Sequence, residues 1–106
     1  MTLYLYLVEA KSELLLEKYD TYDSFVVCCE SEKEARQTLP SGGRRTPYNE
    51  NKMCWIQTNG RIVGTDKYNT HGWILGKDID KLKVRLLGNA VEGTERDVIC
   101  ASYNAG

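Results

Sequence analysis

Phe25-Val26-Val27-Cys28-Cys29-Glu30-Ser31-Glu32-Lys33-Glu34-Ala35-Arg36-Gln37-Thr38-Leu39 decides the fold class of this chain. Its first five residues, aromatic, β-branched and thiol-bearing, read as a strand. Ser31 follows, with Glu34 three residues on, which is the capping-box pattern of a helix start. The helix predicted over 32–39 has acid in its first turn and Arg36 further along, as the helix dipole favours, and it stops at Pro40. A strand followed at once by a capped amphipathic helix points to a helix packed on a sheet.

Upstream, Leu3, Leu5 and Leu7 alternate with Tyr4, Tyr6 and Val8, so residues 3–9 read as a central strand covered on at least one side. The run Met1–Val8 lacks a basic start and a small-residue cleavage site, and is expected to be this strand rather than a signal peptide. Glu9–Lys18 turns polar around Leu14-Leu15-Leu16 and fits either a helical turn or a short strand. Tyr19-Asp20-Thr21-Tyr22-Asp23-Ser24 is a polar and aromatic lead into the strand at Phe25.

Downstream, residues 40–52 have loop composition, with both prolines and the adjacent pair Arg44-Arg45. Asn59-Gly60 sits between Met53–Thr58 and Arg61–Gly64, the strongest short-range signal of a hairpin whose turn residues both take positive φ. Gly76–Asp80 reads as a turn. Lys81-Leu82-Lys83-Val84-Arg85-Leu86 alternates basic and aliphatic residues, a strand with one wet positive face. Asp97–Ala105 reads as a last strand docked in the sheet. The expected fold is α+β: one domain over 1–106, a mostly antiparallel sheet of about four strands, one short helix packed on it, and a loop and hairpin insertion over 40–75.

With 106 residues the chain suits a single hydrophobic core. Fourteen basic against fifteen acidic residues leave a net charge of -1, short of the basic surplus that phosphate-backbone binding demands. No apolar run approaches the ~18 residues of a membrane-spanning helix, so no membrane partner is expected. Cys28, Cys29, Cys54 and Cys100 form no C-x-x-C pair, and His71 is the one histidine, so no metal site is expected and the thiols read as free and buried.

Four segments, Tyr19–Ser24, Glu30-Ser31-Glu32-Lys33-Glu34-Ala35-Arg36, Leu87-Gly88-Asn89-Ala90 and Cys100-Ala101-Ser102-Tyr103-Asn104-Ala105-Gly106, together resemble a family of small phage and prophage proteins, the terminal segment being the most specific. The resemblance covers both ends of the chain and leaves 40–75 unmatched. It implies expression in the cytoplasm of an infected bacterium and carries no family-wide activity. Phage accessory proteins without catalytic motifs are often counter-defence factors, an association of the class.

Catalysis has few routes here. There is no nucleophile-elbow or phosphate-loop motif, His71 lies in a polar loop, and Asp20 and Asp23 suit local backbone bonding better than acid–base work. No catalytic residue and no cofactor are expected, and the chain reads as no enzyme. Binding has more support. Tyr19, Tyr22, Tyr48, Tyr68, Trp55 and Trp73 offer flat faces for a base, Arg44 and Arg45 offer planar cationic forks for phosphate, and Gly42 and Gly43 would let backbone N–H groups reach an anion. Ser102 and Asn104 share a face of the last strand and would converge with Tyr22, Asp23 and Ser24 at one edge of the sheet. The expected function is counter-defence by sequestering a nucleotide-like signalling molecule, with a homo-oligomer interface as one place for the site. The alternative is an inhibitor that occludes a host defence protein, for which the basic face of Lys77, Lys81, Lys83 and Arg85 is the natural contact.

Overall fold

The computed structural model of the protein describes residues 2–16 and 19–104. The expectations for Met1, Glu17, Lys18, Ala105 and Gly106 lie outside these residues. Helix α1 (Glu32–Arg36) begins where the capping pattern places it. Ser31 is extended, its Oγ accepts from the Glu34 N–H at 3.2 Å, and the Glu34 carboxylate accepts from the Glu30 N–H at 2.8 Å. The reciprocal bond thus reaches one residue further back than in a standard capping box. The helix ends three residues before the predicted Leu39, and the Thr38 hydroxyl donates to the Glu34 carbonyl at 2.8 Å, tying off the last turn.

Strands β1 (Tyr4–Glu9), β2 (Thr21–Cys29), β6 (Lys83–Asn89) and β7 (Val98–Asn104) form one antiparallel sheet in the order β6-β1-β2-β7. The expected four-stranded antiparallel sheet and α+β class are what the structure has. Val8 lies opposite Phe25, and with Val27 and Cys29 they form the buried face, against which Ala35 and Leu39 pack. Over its middle the opposite face is open: Leu7 and Val26 pair across it only half-buried, flanked by exposed Arg85 and Cys100, while Cys28 at the end of β2 is buried.

Several boundaries differ from the sequence reading. Strand β2 starts at Thr21 rather than Phe25, because Tyr22 and Ser24 pair with Tyr103 and Ser102 while Asp23 bulges out between them. The ambiguous segment after β1 holds a single 3₁₀ turn, Ser12–Leu14. Lys81 closes the 3₁₀ segment Gly76–Lys81, so β6 begins two residues later than the alternating pattern suggests. Cys100 is exposed, not buried, because β7 is an edge strand.

The insertion folds as a second sheet, β3 (Tyr48–Asn49), β4 (Cys54–Ile56) and β5 (Ile62–Val63), in that order. The Asn59-Gly60 hairpin is present, but only Gly60 takes positive φ (87°). The Gly60 N–H donates to the Gln57 carbonyl and the Gln57 N–H to the Arg61 carbonyl, which is the longer hairpin with a glycine bulge. Trp55, Val63, Trp73 and Ile74 from 40–75 are fully buried and join Val8, Phe25 and Leu39 in one core. The insertion therefore covers the main sheet beside α1.

Candidate functional site

Where β2 ends against α1, the chain leaves a cleft of about 320 Å³, at the small end of the range for ligand sites. Val27, Cys28 and Cys29 form its floor, Glu34 of α1 and Thr38 just after it one wall, and Gly43, Arg44, Thr46 and Tyr48 the other. Arg96 and Asp97, just before β7, close the third side. A shallower cleft on the far side of the Gly42–Thr46 turn is lined by Arg45 and shares Gly43, Thr46 and Asp97. The turn thus stands as a partition, with one arginine lining each side.

The conformation of this turn is set by an internal anion. Asp97 Oδ1 accepts from the Arg44 N–H at 3.3 Å and from the Val98 N–H at 2.7 Å. Gly43 has φ +53°, and a Cβ there would lie 2.1 Å from that same oxygen, so any larger residue would have to displace the Asp97 carboxylate. The amides of Gly42 and Gly43 donate to the Leu39 carbonyl, and those of Arg45 and Thr46 to Gly42 and Gly43. The expectation that these glycines cradle a ligand phosphate is therefore corrected: the Asp97 carboxylate occupies the nest, and the other amides are used in the turn.

Charge in the cleft is distributed unevenly. The Arg96 guanidinium is bound to Glu34 and lies 3.2 Å from Glu30. Burial pushes the Glu34 carboxyl up, but Arg96 and the Glu30 N–H outweigh it and hold the group below its usual 4.5. The guanidinium groups of Arg44 and Arg45, by contrast, make no hydrogen bond or ion pair among the described residues. Both side chains are exposed.

The remaining lining groups stay neutral. Burial pushes the Cys29 thiol up to about 12, and its Sγ donates to the Ser31 carbonyl at 3.4 Å. Burial raises the Cys28 thiol as well. Neither supplies a thiolate near neutral pH. Burial also raises the Tyr48 phenol, which donates to the Gly76 carbonyl at 2.9 Å while its ring meets Trp55 edge-on at 5.3 Å.

The depressed Glu34 carboxyl predicts an acid-side dependence. A carboxyl whose folded value lies below its unfolded one stabilises the fold above the unfolded value, and that stability is lost as pH falls through the folded value. Removing Arg96 in Arg96→Gln is expected to lower stability slightly at pH 7, because both groups are partly exposed and screened by solvent. The gap between variant and parent should close as pH drops below 4.5, where Glu34 takes up its proton. Thermal melts of both chains across this range check it.

The other expected site residues fall into two further places. Ser24 and Ser102 are direct partners across β2 and β7, Tyr22 meets Tyr103 edge-on at 4.8 Å, and Asn104 lies opposite Thr21. These residues thus lie together along the paired ends of β2 and β7, with Tyr22 against Tyr103 in one pair and Ser24 against Ser102 in the next. They lie at the start of β2, however, ~13 Å (Ser24) to ~20 Å (Tyr22) from Cys28 at ~3.3 Å per strand residue. Trp73 is 1% exposed and packs on Phe25 at 5.3 Å, so it is a core residue and offers no face to a ligand. Of the aromatics expected to stack on a base, the structure brings only Tyr48 to the arginine pair. Sequence reasoning missed Asp97, Glu34 and Arg96. The glycine pair was the available signal, because a turn with spare amides invites an internal carboxylate as readily as an external one.

No family model, curated protein or solved structure matches the chain.

Proposed function

We propose that the chain is a non-catalytic binding protein that captures a small anionic, nucleotide-like ligand in the cleft beside Arg44. The observation that carries this reading is the Arg44 guanidinium, unpaired among the described residues, on a cleft whose other arginine, Arg96, is already neutralised by Glu30 and Glu34. A planar fork with no internal partner is free to take a phosphate or carboxylate in a bidentate pair. Tyr48 supplies the adjoining ring, and the protonated thiols of Cys28 and Cys29 supply an apolar floor. The phage setting and a counter-defence role, by removal of a signalling nucleotide, rest on the sequence resemblance of the terminal segments.

Thermal-shift measurements and native mass spectrometry with mono-, di- and cyclic nucleotides test the reading. A ligand at 100 times its dissociation constant should add about 2.7 kcal/mol of stability. Arg44→Glu should weaken that ligand at least tenfold, about 1.4 kcal/mol. If no nucleotide raises the melting temperature and none is retained from infected-cell lysate, the reading fails.

A second reading, occlusion of a host defence protein, is favoured by one observation. Lys83 and Arg85 project from β6 exposed, and without ion pairs among the described residues, beside the open face of the sheet. A pull-down returning one host protein, lost on charge reversal at those two positions, would favour it over ligand capture.

A further inference from the structure

The two edges of the main sheet are built differently. Strand β6 carries Lys83 and Arg85, the kind of charge that stops an edge from pairing with its own copy. Strand β7, Val98-Ile99-Cys100-Ala101-Ser102-Tyr103-Asn104, carries no charge over seven residues. Every residue of β7 after Val98 is exposed, with Ile99 at 50% and Tyr103 at 51%.

The hydrogen bonding says which backbone groups are spare. The Asn104 carbonyl accepts from Asp20 N–H at 2.6 Å, and Ser102 and Cys100 are the partners of Ser24 and Val26. Strand alternation therefore turns the amides and carbonyls of Ala101 and Tyr103 outward, away from β2, while the register shift between Val26 and Val27 leaves Ile99 as a bulge at the start of this run. We propose that β7 pairs antiparallel with β7 of a second copy of this chain, about a two-fold axis at Ala101, joining the two sheets into one.

This register is self-complementary. Ala101 faces the partner's Ala101, where the outward N–H and carbonyl of each strand meet those of the other, and the Ile99 side chain at the bulge stands beside the partner's Tyr103. A β-branched residue opposite an aromatic is a favourable cross-strand pair. No like charges meet, whereas β6 pairing with its own copy would set Lys83 and Arg85 against their equivalents. Growth therefore closes at two copies, as an isologous contact does. The pairing lies away from the Arg44 cleft and does not depend on any ligand there.

Proline at Ala101 removes an outward N–H and leaves the ladder to β2 intact, so Ala101→Pro tests the pairing without dismantling the sheet. Sedimentation of the full chain is expected to give twice the 12.1 kDa monomer mass at high micromolar concentration, and Ala101→Pro, with an unchanged circular dichroism spectrum, a monomer. The same register puts Ser102 opposite the partner's Cys100 in a pair without hydrogen bonds, where the backbones approach within ~4.5 Å, close enough for a disulfide. Oxidised Ser102→Cys should therefore run as a covalent dimer, and adding Cys100→Ser should abolish it. A parent chain that sediments as a monomer overturns the proposal and leaves the edge to a strand of another protein. A dimer that survives Ala101→Pro, or one that Ser102→Cys fails to cross-link, overturns it equally.

Discussion

Trp55→Ala is expected to cost about 3–5 kcal/mol, the largest loss from any single side chain in the insertion. Trp55 is fully buried, its Nε1–H donates to the Gln37 carbonyl at 2.8 Å, and its ring packs edge-on against Tyr48. A Cβ on Gly64 would lie 2.7 Å from the ring, so the hairpin backbone is fitted closely to it. Truncation would empty that space and also strip the carbonyl at the end of α1 of its donor. Against a typical stability of about 5–15 kcal/mol, this is a large fraction of the total. Melting should fall by about 12 °C or more, followed by circular dichroism. Trp55→Phe keeps most of the packing and loses the hydrogen bond, so it should cost only about 1–3 kcal/mol. If Trp55→Ala cost less than about 1 kcal/mol, as a surface truncation does, the insertion could not belong to the core.

That expectation marks where the sequence was legible and where it was not. Local signals hold: the Ser31–Glu34 cap, the position of the Asn59-Gly60 hairpin and the alternation over Lys83–Leu86 in β6 each depend on neighbours in sequence. The four-stranded sheet followed from them. The role of 40–75 did not, because the burial of Trp55, Trp73 and Ile74 is decided by long-range packing onto β2 and α1, and loop composition outside them hides it. The candidate site divides in the same way. The pairing of Ser24 with Ser102 follows from strand alternation and was visible. The capture of the Gly43–Arg44 turn by Asp97, more than fifty residues on, has no local signature. Trp73 was offered as a stacking surface because aromatic residues in polar segments look exposed, and only the fold shows its ring against Phe25.

Gly76→Ala should be the most damaging one-carbon change in the chain, costing several times as much as the same change at Gly60. At Gly60 the penalty is conformational: φ is +87°, open space surrounds the position, and about 1 kcal/mol is expected. At Gly76 the penalty is steric. An added Cβ would lie 2.2 Å from the Met53 carbonyl oxygen and 2.9 Å from the Cys54 Cα, both rigid backbone at the start of β4. The 3₁₀ segment would have to withdraw from β4, straining two contacts: the Gly76 N–H to the Gly64 carbonyl at 2.8 Å, and the Gly76 carbonyl to the Tyr48 hydroxyl at 2.9 Å. The first joins this segment to the residue after β5. The second anchors Tyr48, a wall of the cleft, so the effect reaches the candidate site. Overpacking of this kind costs about 1–3 kcal/mol where side chains can yield, and backbone on both sides places Gly76 at or above the upper figure. Parallel urea titrations of the two variants, read as midpoint shifts at constant slope, measure the contrast. Equal shifts at Gly60 and Gly76 would mean that the small sheet and the 3₁₀ segment are not in the contact described. In Gly76→Ala the released Tyr48 should also lose affinity for any ligand that Arg44 holds, while Gly60→Ala should keep it.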